Sequence, residues 1–465
     1  MRNRVTRATL LSAIPILAMM IAADPAEAIP AFAQQTGQPC SSCHVGSFGP
    51  QLTPIGRAFK ISGYTQSGGE GWTASMPLSV MAITSFTNTS AAAPGGQAAQ
   101  DFGANNNVSL DQVSLFVGGG IGEHTGGLMQ FTGGNIGTSY PAFNVDNMDL
   151  RPYVTTFSVG GKDLVVGSTL NNNPTVQDPY NTTFAWGYPY VASKLAPTPT
   201  ADVILDQSFA GNAVGYTAYA QYDGKLYLEA GAYNTLGVWS LARMGNGYSI
   251  GSTTSPAPYL RAAYEWQWGN NAAHVGATFM HADVNPLDPN GLPGRTTNAS
   301  GSDHYTDYAA DAAYQFLGDG THMVTIQGIY TYEDQNLAST SSGTGYGAKY
   351  NLNQTRANAS YWYKNTYGAT VGWQKTWGPT NPVLYTQAAL TGSANSKPNS
   401  NAYTLEADWV PFGKDDSVWA PFMNMKLGAQ YTMYTEFNGA NKNYDGAGHN
   451  ASGNNTLMLF AWMIF

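Results

Sequence analysis

The sequence predicts an all-β fold: a transmembrane antiparallel β-barrel of the outer-membrane type, preceded by a short segment of different character. Apolar and polar side chains alternate residue by residue through most of the chain, which is the strand period. Only 11% of the 465 residues are charged, while 53 are Gly and 12% are aromatic. The only two cysteines stand close together near the N-terminus, ahead of the alternating region.

Charge and hydropathy exclude two other classes of protein. The chain has 20 Lys and Arg against 29 Asp and Glu, a net charge of -9, and no basic stripe that would hold nucleic-acid phosphates. Apart from the N-terminus, no run approaches the roughly 18 to 20 consecutive apolar residues of a spanning helix. We therefore expect neither a nucleic-acid binder nor a helical membrane protein.

The N-terminus predicts export. Three arginines among the first seven residues precede an apolar run at 8–23, and Ala26-Glu27-Ala28 supplies the small-x-small pattern of a cleavage site. An uncleaved anchor is the alternative, but Pro15 interrupts the run. We assign residues 1–28 to a signal peptide.

The two cysteines form the motif Cys40-Ser41-Ser42-Cys43-His44. This spacing is the attachment signature of c-type haem, in which Cys40 and Cys43 bond the vinyl groups and His44 is the axial ligand of the iron. We predict one covalent haem c in a segment spanning residues 29–72. The motif could instead form a structural disulfide, a thioredoxin-like redox pair or half of a zinc site.

The sixth iron ligand is not assigned from the sequence. Met76 and Met81 lie downstream, but with 15 Met in the chain neither stands out. Arg57 and Lys60 are candidates for neutralising the haem propionates, although they could equally be a solvated surface pair. The remaining histidines are scattered along the chain: His124, His274, His281, His304, His322 and His449.

Alternation defines the strands. From 260 to 268, Leu260, Tyr264 and Trp266 fall on one face, while Arg261 and Glu265 fall on the other, so one face suits lipid and the other water. The same split recurs at 307–316, 403–409 and 423–433. Asp223-Gly224 predicts a two-residue hairpin turn, and Gly269-Asn270-Asn271 and Gly318-Asp319-Gly320 look similar.

A soluble β-sandwich would also alternate, but three features favour a membrane barrel. Tyr and Trp lie near strand ends, as in interfacial girdles, and the long polar linkers 285–303 and 334–350 resemble extracellular loops. The apolar run 457–465 ends on Phe465, which resembles the insertion signal of bacterial barrels. At roughly 20 to 25 residues per strand, residues 73–465 predict about 16 strands, with about 18 also allowed. An even number would leave both barrel termini in the periplasm.

Two blocks of sequence resemble a known family. Residues 31–44, 52–60 and 63–64 form one block, and 173–190 form the other. They resemble the fused monohaem cytochrome-porins that oxidise ferrous iron at the outer membrane of iron-oxidising bacteria. The resemblance implies that the haem segment sits in or at the mouth of the barrel.

The resemblance also implies a function. The chain would be an oxidoreductase of the iron-oxidase type, anchored by outer-membrane lipid, taking electrons from extracellular Fe(II) and passing them to a periplasmic c-type cytochrome. The acidic residues Glu265, Asp311, Glu406 and Asp408 could concentrate Fe(II) in the lumen. Two further functions fit the same sequence: a cytochrome-porin with another extracellular electron donor, and a diffusion porin with a haem-bearing plug or sensor.

Overall fold

The computed structural model describes residues 31–68, 78–93, 97, 102–134, 143–246, 251–287, 301–413, 417, 419 and 423–465. The predicted signal peptide at 1–28 lies outside these residues. Among the described helices, none has the length and apolarity needed to cross a bilayer.

A closed antiparallel barrel of sixteen long strands forms the body of the molecule. Each strand pairs with its neighbours in the chain, and the last long strand pairs with the first from Met81↔Ile464 to Thr89↔Thr456. The single closed sheet excludes a β-sandwich and confirms the lower predicted strand number. The strands are β1 Leu78–Thr89, β2 Asn107–Ile121, β3 Thr125–Gly133, β4 Asn144–Val159, β5 Lys162–Asn171, β6 Ala213–Tyr222, β7 Leu226–Thr235, the two-residue β8 Ser252–Thr253, β9 Ala257–Trp268, β10 Asn271–Asn285, β11 Asp303–Phe316, β12 His322–Asn336, β13 Lys349–Tyr363, β14 Tyr367–Trp377, β15 Ser400–Trp409, β16 Asn424–Glu436 and β17 Thr456–Ile464.

The two ends of the barrel differ in the length of their connections. At one end most turns are short, such as Asp223–Lys225 between β6 and β7, where Asp223 and Gly224 have φ of 56° and 64°. The predicted turns at 269–271 and 318–320 lie at this end too. At the other end the connections are long. The start of β1 pairs with β2 near the short turn between β2 and β3, and it therefore lies at the short-turn end. The end of β17 lies beside it, because Phe465 and Val80 exchange backbone hydrogen bonds of 2.8 and 2.9 Å.

The wall of the barrel confirms the predicted alternation. On β9, Leu260, Tyr264 and Trp266 are 50%, 37% and 45% exposed on the outer face, whereas Arg261 and Glu265 are buried in the lumen. Successive strand side chains point to opposite faces, so a two-residue period produces this sorting directly. The outer face is therefore apolar and suited to lipid.

Two segments lie in the lumen. The first is residues 31–68, here called the plug, which contains α1 Ala31–Thr36, α2 Cys40–Cys43 and α3 Pro54–Ile61. The second is residues 172–212, the connection between β5 and β6, here called the insert, whose buried Val203, Ile204 and Phe209 pack against the inner wall. A fourth helix, α4 Val238–Met244, lies in the connection after β7. Single turns of other helix types occur at Val45–Ser47, Phe184–Trp186, Ile204–Ser208 and Ala451–Asn454.

Candidate functional site

The Cys-x-x-Cys-His motif forms a single helical turn in the plug. Cys40 and Cys43 begin and end α2, and residues three apart lie on the same side of a helix. His44 leaves the helix with extended backbone angles, and its N–H donates to the Cys40 carbonyl over 2.9 Å. The local fold therefore presents both thiols together, with the histidine immediately beyond them.

Helix α3 frames the motif through one glycine and one cap. Thr53 caps α3 by accepting from the Gly56 N–H over 3.3 Å, and its hydroxyl donates to the Ser42 carbonyl over 2.5 Å. A Cβ at Gly56 would lie 2.4 Å from the Cys43 carbonyl oxygen. Only glycine lets the helix backbone come this close to the motif. The block at 52–60 is thus the structural support of the motif.

A cavity of about 610 Å³ opens beside Cys40, Cys43 and His44. This volume falls within the roughly 300 to 1,000 Å³ typical of pockets that bury small molecules and cofactors. Its lining is mixed, with charged side chains such as Lys60, Asp146 and Arg356. The apolar part of the lining comes from the plug, the barrel and the insert: Phe32, Leu52, Phe59, Met81, Phe116 and Trp186.

Aromatic rings give the cavity a rigid side. Phe32 stacks on Tyr64 with ring centroids 5.3 Å apart and meets the edge of Phe59 at 5.0 Å. The Tyr64 hydroxyl donates to Asp149 on β4 over 2.7 Å, and Arg151 pairs with the same carboxylate at 2.8 Å. These contacts tie the aromatic side of the cavity to the barrel wall.

The donor set at the cavity fits a covalently held haem. Burial raises the pKa of Cys40 to about 11 and also raises that of Cys43, so both side chains are thiols rather than thiolates. A thioredoxin-like pair needs a lowered thiol pKa, so the motif matches a redox pair poorly. Burial lowers the pKa of His44, which favours the neutral imidazole that iron ligation requires. Its Nδ1 is buried, with no hydrogen-bond partner among the described residues.

A disulfide and a zinc site also match the motif poorly. Both cysteines are free, so they form no disulfide in this structure. Within the described ranges, Cys40 and Cys43 belong to no compact group of three or more metal-binding side chains of the kind a zinc site needs.

Neither basic residue of α3 is a solvated surface group. Arg57 is buried and pairs with Glu265 of β9 at 2.7 Å. Lys60 is also buried and donates to the carbonyls of Val176 and Asp178 in the insert, each over 2.7 Å. Arg57 therefore fixes the plug to the wall, and Lys60, which lines the cavity, fixes the plug to the insert.

The structure describes only one of the two methionines that lie downstream of the motif. Met81 of β1 is buried and lines the cavity, whereas Met76 lies outside the described residues. Nothing in the sequence marked Met81, Phe116 or Trp186 as cavity residues. They come from β1, β2 and the insert, so they form no continuous motif. In the sequence, the block at 173–190 was the only feature that drew attention to the insert.

The four acidic residues that the sequence singled out each contact a buried cation. Glu406 and Asp408 both contact Lys426, at 2.9 and 3.0 Å, and Asp311 pairs with Arg261 at 2.8 Å. Glu265 pairs with Arg57 of the plug. Lys426 is shared by Glu406 and Asp408, and Arg261 is shared by Asp311 and Asp178. The ion pairs therefore reduce the negative charge that these residues could offer Fe(II), but they do not cancel it.

No protein-family model matches the chain, and no curated protein matches its sequence. Solved structures similar to it include three outer-membrane proteins. OmpT of Vibrio cholerae, in its trimer form, is 8% identical over 83% of this chain and 98% of that one, with a TM-score of 0.43. The outer-membrane channel DcaP of Acinetobacter baumannii is 11% identical over 83% and 96%, with a TM-score of 0.43. OmpF of Salmonella typhi, in complex with daunomycin, is 11% identical over 83% and 97%, with a TM-score of 0.45. By its even strand number, closure and apolar outer wall, this chain is a porin-like barrel of the outer-membrane type.

Proposed function

We propose that this chain is an outer-membrane electron conduit that oxidises extracellular Fe(II) and passes the electron to a periplasmic c-type cytochrome. The observation that carries the proposal is the Cys-x-x-Cys-His turn, which lines a cavity inside a closed barrel. The family resemblance of the plug and insert sequences supports Fe(II) as the donor.

Three residues would hold the haem. The sulfurs of Cys40 and Cys43 would form its thioethers, and His44 would ligate its iron. Phe32 and Phe59 would exclude water from the haem. The haem would supply a one-electron carrier, able to accept the electron that Fe(II) loses on becoming Fe(III) and to release it to the cytochrome.

The position of the motif supports exchange at the periplasmic side. The Gly46 N–H, two residues beyond His44, donates over 2.8 Å to Asn365 in the short turn between β13 and β14. The short turns of outer-membrane barrels face the periplasm, so we assign this end, and both barrel termini, to the periplasmic side. The plug would then meet an acceptor protein there, while the long connections face outward.

The presence of the plug and the insert in the lumen favours a conduit over a diffusion porin. The plug is fixed to the wall by Arg57, and the insert packs around Val203 and Phe209. Substrate diffusion requires an open path, whereas electron transfer requires only a redox centre within reach of both sides. A different extracellular electron donor would use the same parts and differ only in the first step.

Redox-difference spectroscopy of purified outer membranes, recorded with and without Fe(II), tests the proposal. We expect a c-type haem spectrum that Fe(II) reduces, and we expect no haem in a Cys40→Ala/Cys43→Ala variant. In His44→Ala the haem should remain attached by two thioethers, but its spectrum should change because the axial ligand is lost. Ser41→Ala, in the same turn, is the matched control and should leave the spectrum unchanged.

Two results would contradict this account. Failure of Fe(II) to reduce an intact haem would exclude iron oxidation and leave another donor. A His44→Ala spectrum equal to that of the wild type would exclude His44 as the ligand.

A further inference from the structure

Two histidines and one aspartate meet on the outer wall of the barrel. His281 and Asp283 are two residues apart on β10 and therefore share one face of the strand. His304 of β11 is the direct cross-strand partner of Asp283, a position that brings Cβ atoms within about 4.5 to 5.5 Å. The sequence separates these residues, and the strand register brings them together.

The three side chains converge on a small volume. His281 Nε2 lies 3.1 Å from Asp283 Oδ1, and His304 Nδ1 lies 2.5 Å from the same oxygen. One potential ligand atom from each residue lies within 4.8 Å of the other two. Metal–ligand bonds of about 2.0 to 2.2 Å place neighbouring ligand atoms about 3 to 3.5 Å apart, so small side-chain movements would close the three around one cation.

A further contact orients the side chain of His281. Its Nδ1 lies 2.8 Å from the hydroxyl oxygen of Thr306, the cross-strand partner of His281. This contact leaves Nε2 directed toward Asp283. Metal-binding histidines are commonly held in this way, with one ring nitrogen bonded to a supporting group and the other free for the metal.

The cluster lies beyond the apolar belt, at the end with long connections. Along the outer faces of β10 and β11 the last large apolar side chains are Phe279 and Tyr308, whose ring centroids are 5.5 Å apart. The next outward residues are His281 on β10 and Thr306 on β11. The side chains of His281, Asp283 and His304 are 35%, 28% and 43% exposed. A cation could therefore reach them from water and keep water in its remaining coordination positions.

We propose that His281, Asp283 and His304 bind one divalent first-row transition-metal cation. Two imidazoles and one carboxylate suit the class that includes Zn(II) and Fe(II), rather than Mg²⁺ or Ca²⁺, which take oxygen ligands. Three protein ligands with open positions resemble catalytic rather than closed structural metal sites. This inference does not depend on the haem or on electron transfer.

Calorimetric titration of the detergent-solubilised full chain with Zn(II) tests the site. We expect one tight equivalent in the wild type, lost in His281→Ala/His304→Ala. Asp283→Asn keeps the shape of the side chain but removes its charge, and should weaken binding at least tenfold. The matched control is His322→Ala, since His322 is an exposed histidine at the opposite end of the barrel, near the Tyr361 hydroxyl at 2.8 Å.

The titrations of the wild type, the double variant and the control decide whether the site exists. Loss of the tight equivalent in the double variant but not in the control supports the site. Absence of stoichiometric binding in the wild type, or binding that survives His281→Ala/His304→Ala, overturns it. Preference for Mg²⁺ over Zn(II) in competition would also overturn it, because hard cations do not select imidazole.

Discussion

At the scale of single residues, the motif was readable from the sequence but its neighbours were not. Cys40, Cys43 and His44 are consecutive in a signature, so their grouping needs no tertiary information. Arg57 was weighed as a propionate partner or a surface group, yet it pairs with Glu265, a residue 208 positions away. Such a contact depends on how the plug sits in the barrel, which no local pattern encodes.

We predict that Arg57→Ala loosens the plug. The substitution leaves Glu265 buried without its cation, and breaking a buried pair in this way costs about 3 to 5 kcal/mol. Protease cleavage within 31–68 and the single-channel conductance should both increase. Arg57→Ala/Glu265→Ala should recover part of the loss, since no unpaired charge remains.

The control for this prediction is Lys162→Ala. Lys162 also forms an ion pair, with Asp223, but its side chain is 47% exposed and screened by water. Its removal should change neither readout. Equal effects of Arg57→Ala and Lys162→Ala would contradict the role of the buried pair.

At the scale of elements, alternation predicted the strands because a half-buried strand must sort its side chains by face. The hairpin at Asp223-Gly224 was predicted for a comparable reason, since its turn requires positive φ. The insert was not predicted as a lumen element. Its sequence has no regular period, and its fold is set by contacts such as Tyr188 with Glu406, where the hydroxyl donates over 3.2 Å.

We predict that Gly372→Ala disturbs the insert. A Cβ at Gly372 of β14 would lie 2.3 Å from the ring of Tyr188, which is only 5% exposed and has little room to move. Overpacking of this kind costs about 1 to 3 kcal/mol. We expect the variant to unfold at a lower temperature than the wild type, as measured by the change in its gel mobility after heating. The insert should also become more susceptible to protease.

Gly347→Ala is the matched control for the glycine prediction. A Cβ at Gly347 meets nothing within 4 Å among the described residues, so this variant should behave as the wild type. Wild-type stability in Gly372→Ala as well would mean that the ring of Tyr188 does not rest against β14.

At the scale of the whole molecule, the low charge content follows from the architecture. A barrel wall that faces lipid excludes charges from its outer face, and several of the charges that point inward, such as Arg261 and Asp311, form ion pairs. The chain thus combines an apolar barrel wall with a lumen that holds the plug and the insert, and with one Cys-x-x-Cys-His motif, for which we propose haem attachment. Composition and strand period predicted the barrel wall, whereas the packing of plug and insert inside it depends on contacts between distant segments.

The central claim is that the chain carries electrons from external Fe(II) across the membrane through its attached haem. The most direct test uses vesicles that contain the purified protein in their membrane and an oxidised soluble c-type cytochrome inside, with Fe(II) added only outside. We predict that the internal cytochrome is reduced, and that vesicles with Cys40→Ala/Cys43→Ala show only the rate of protein-free vesicles. Reduction at the same rate with that variant, or no reduction with the wild type, would contradict the claim.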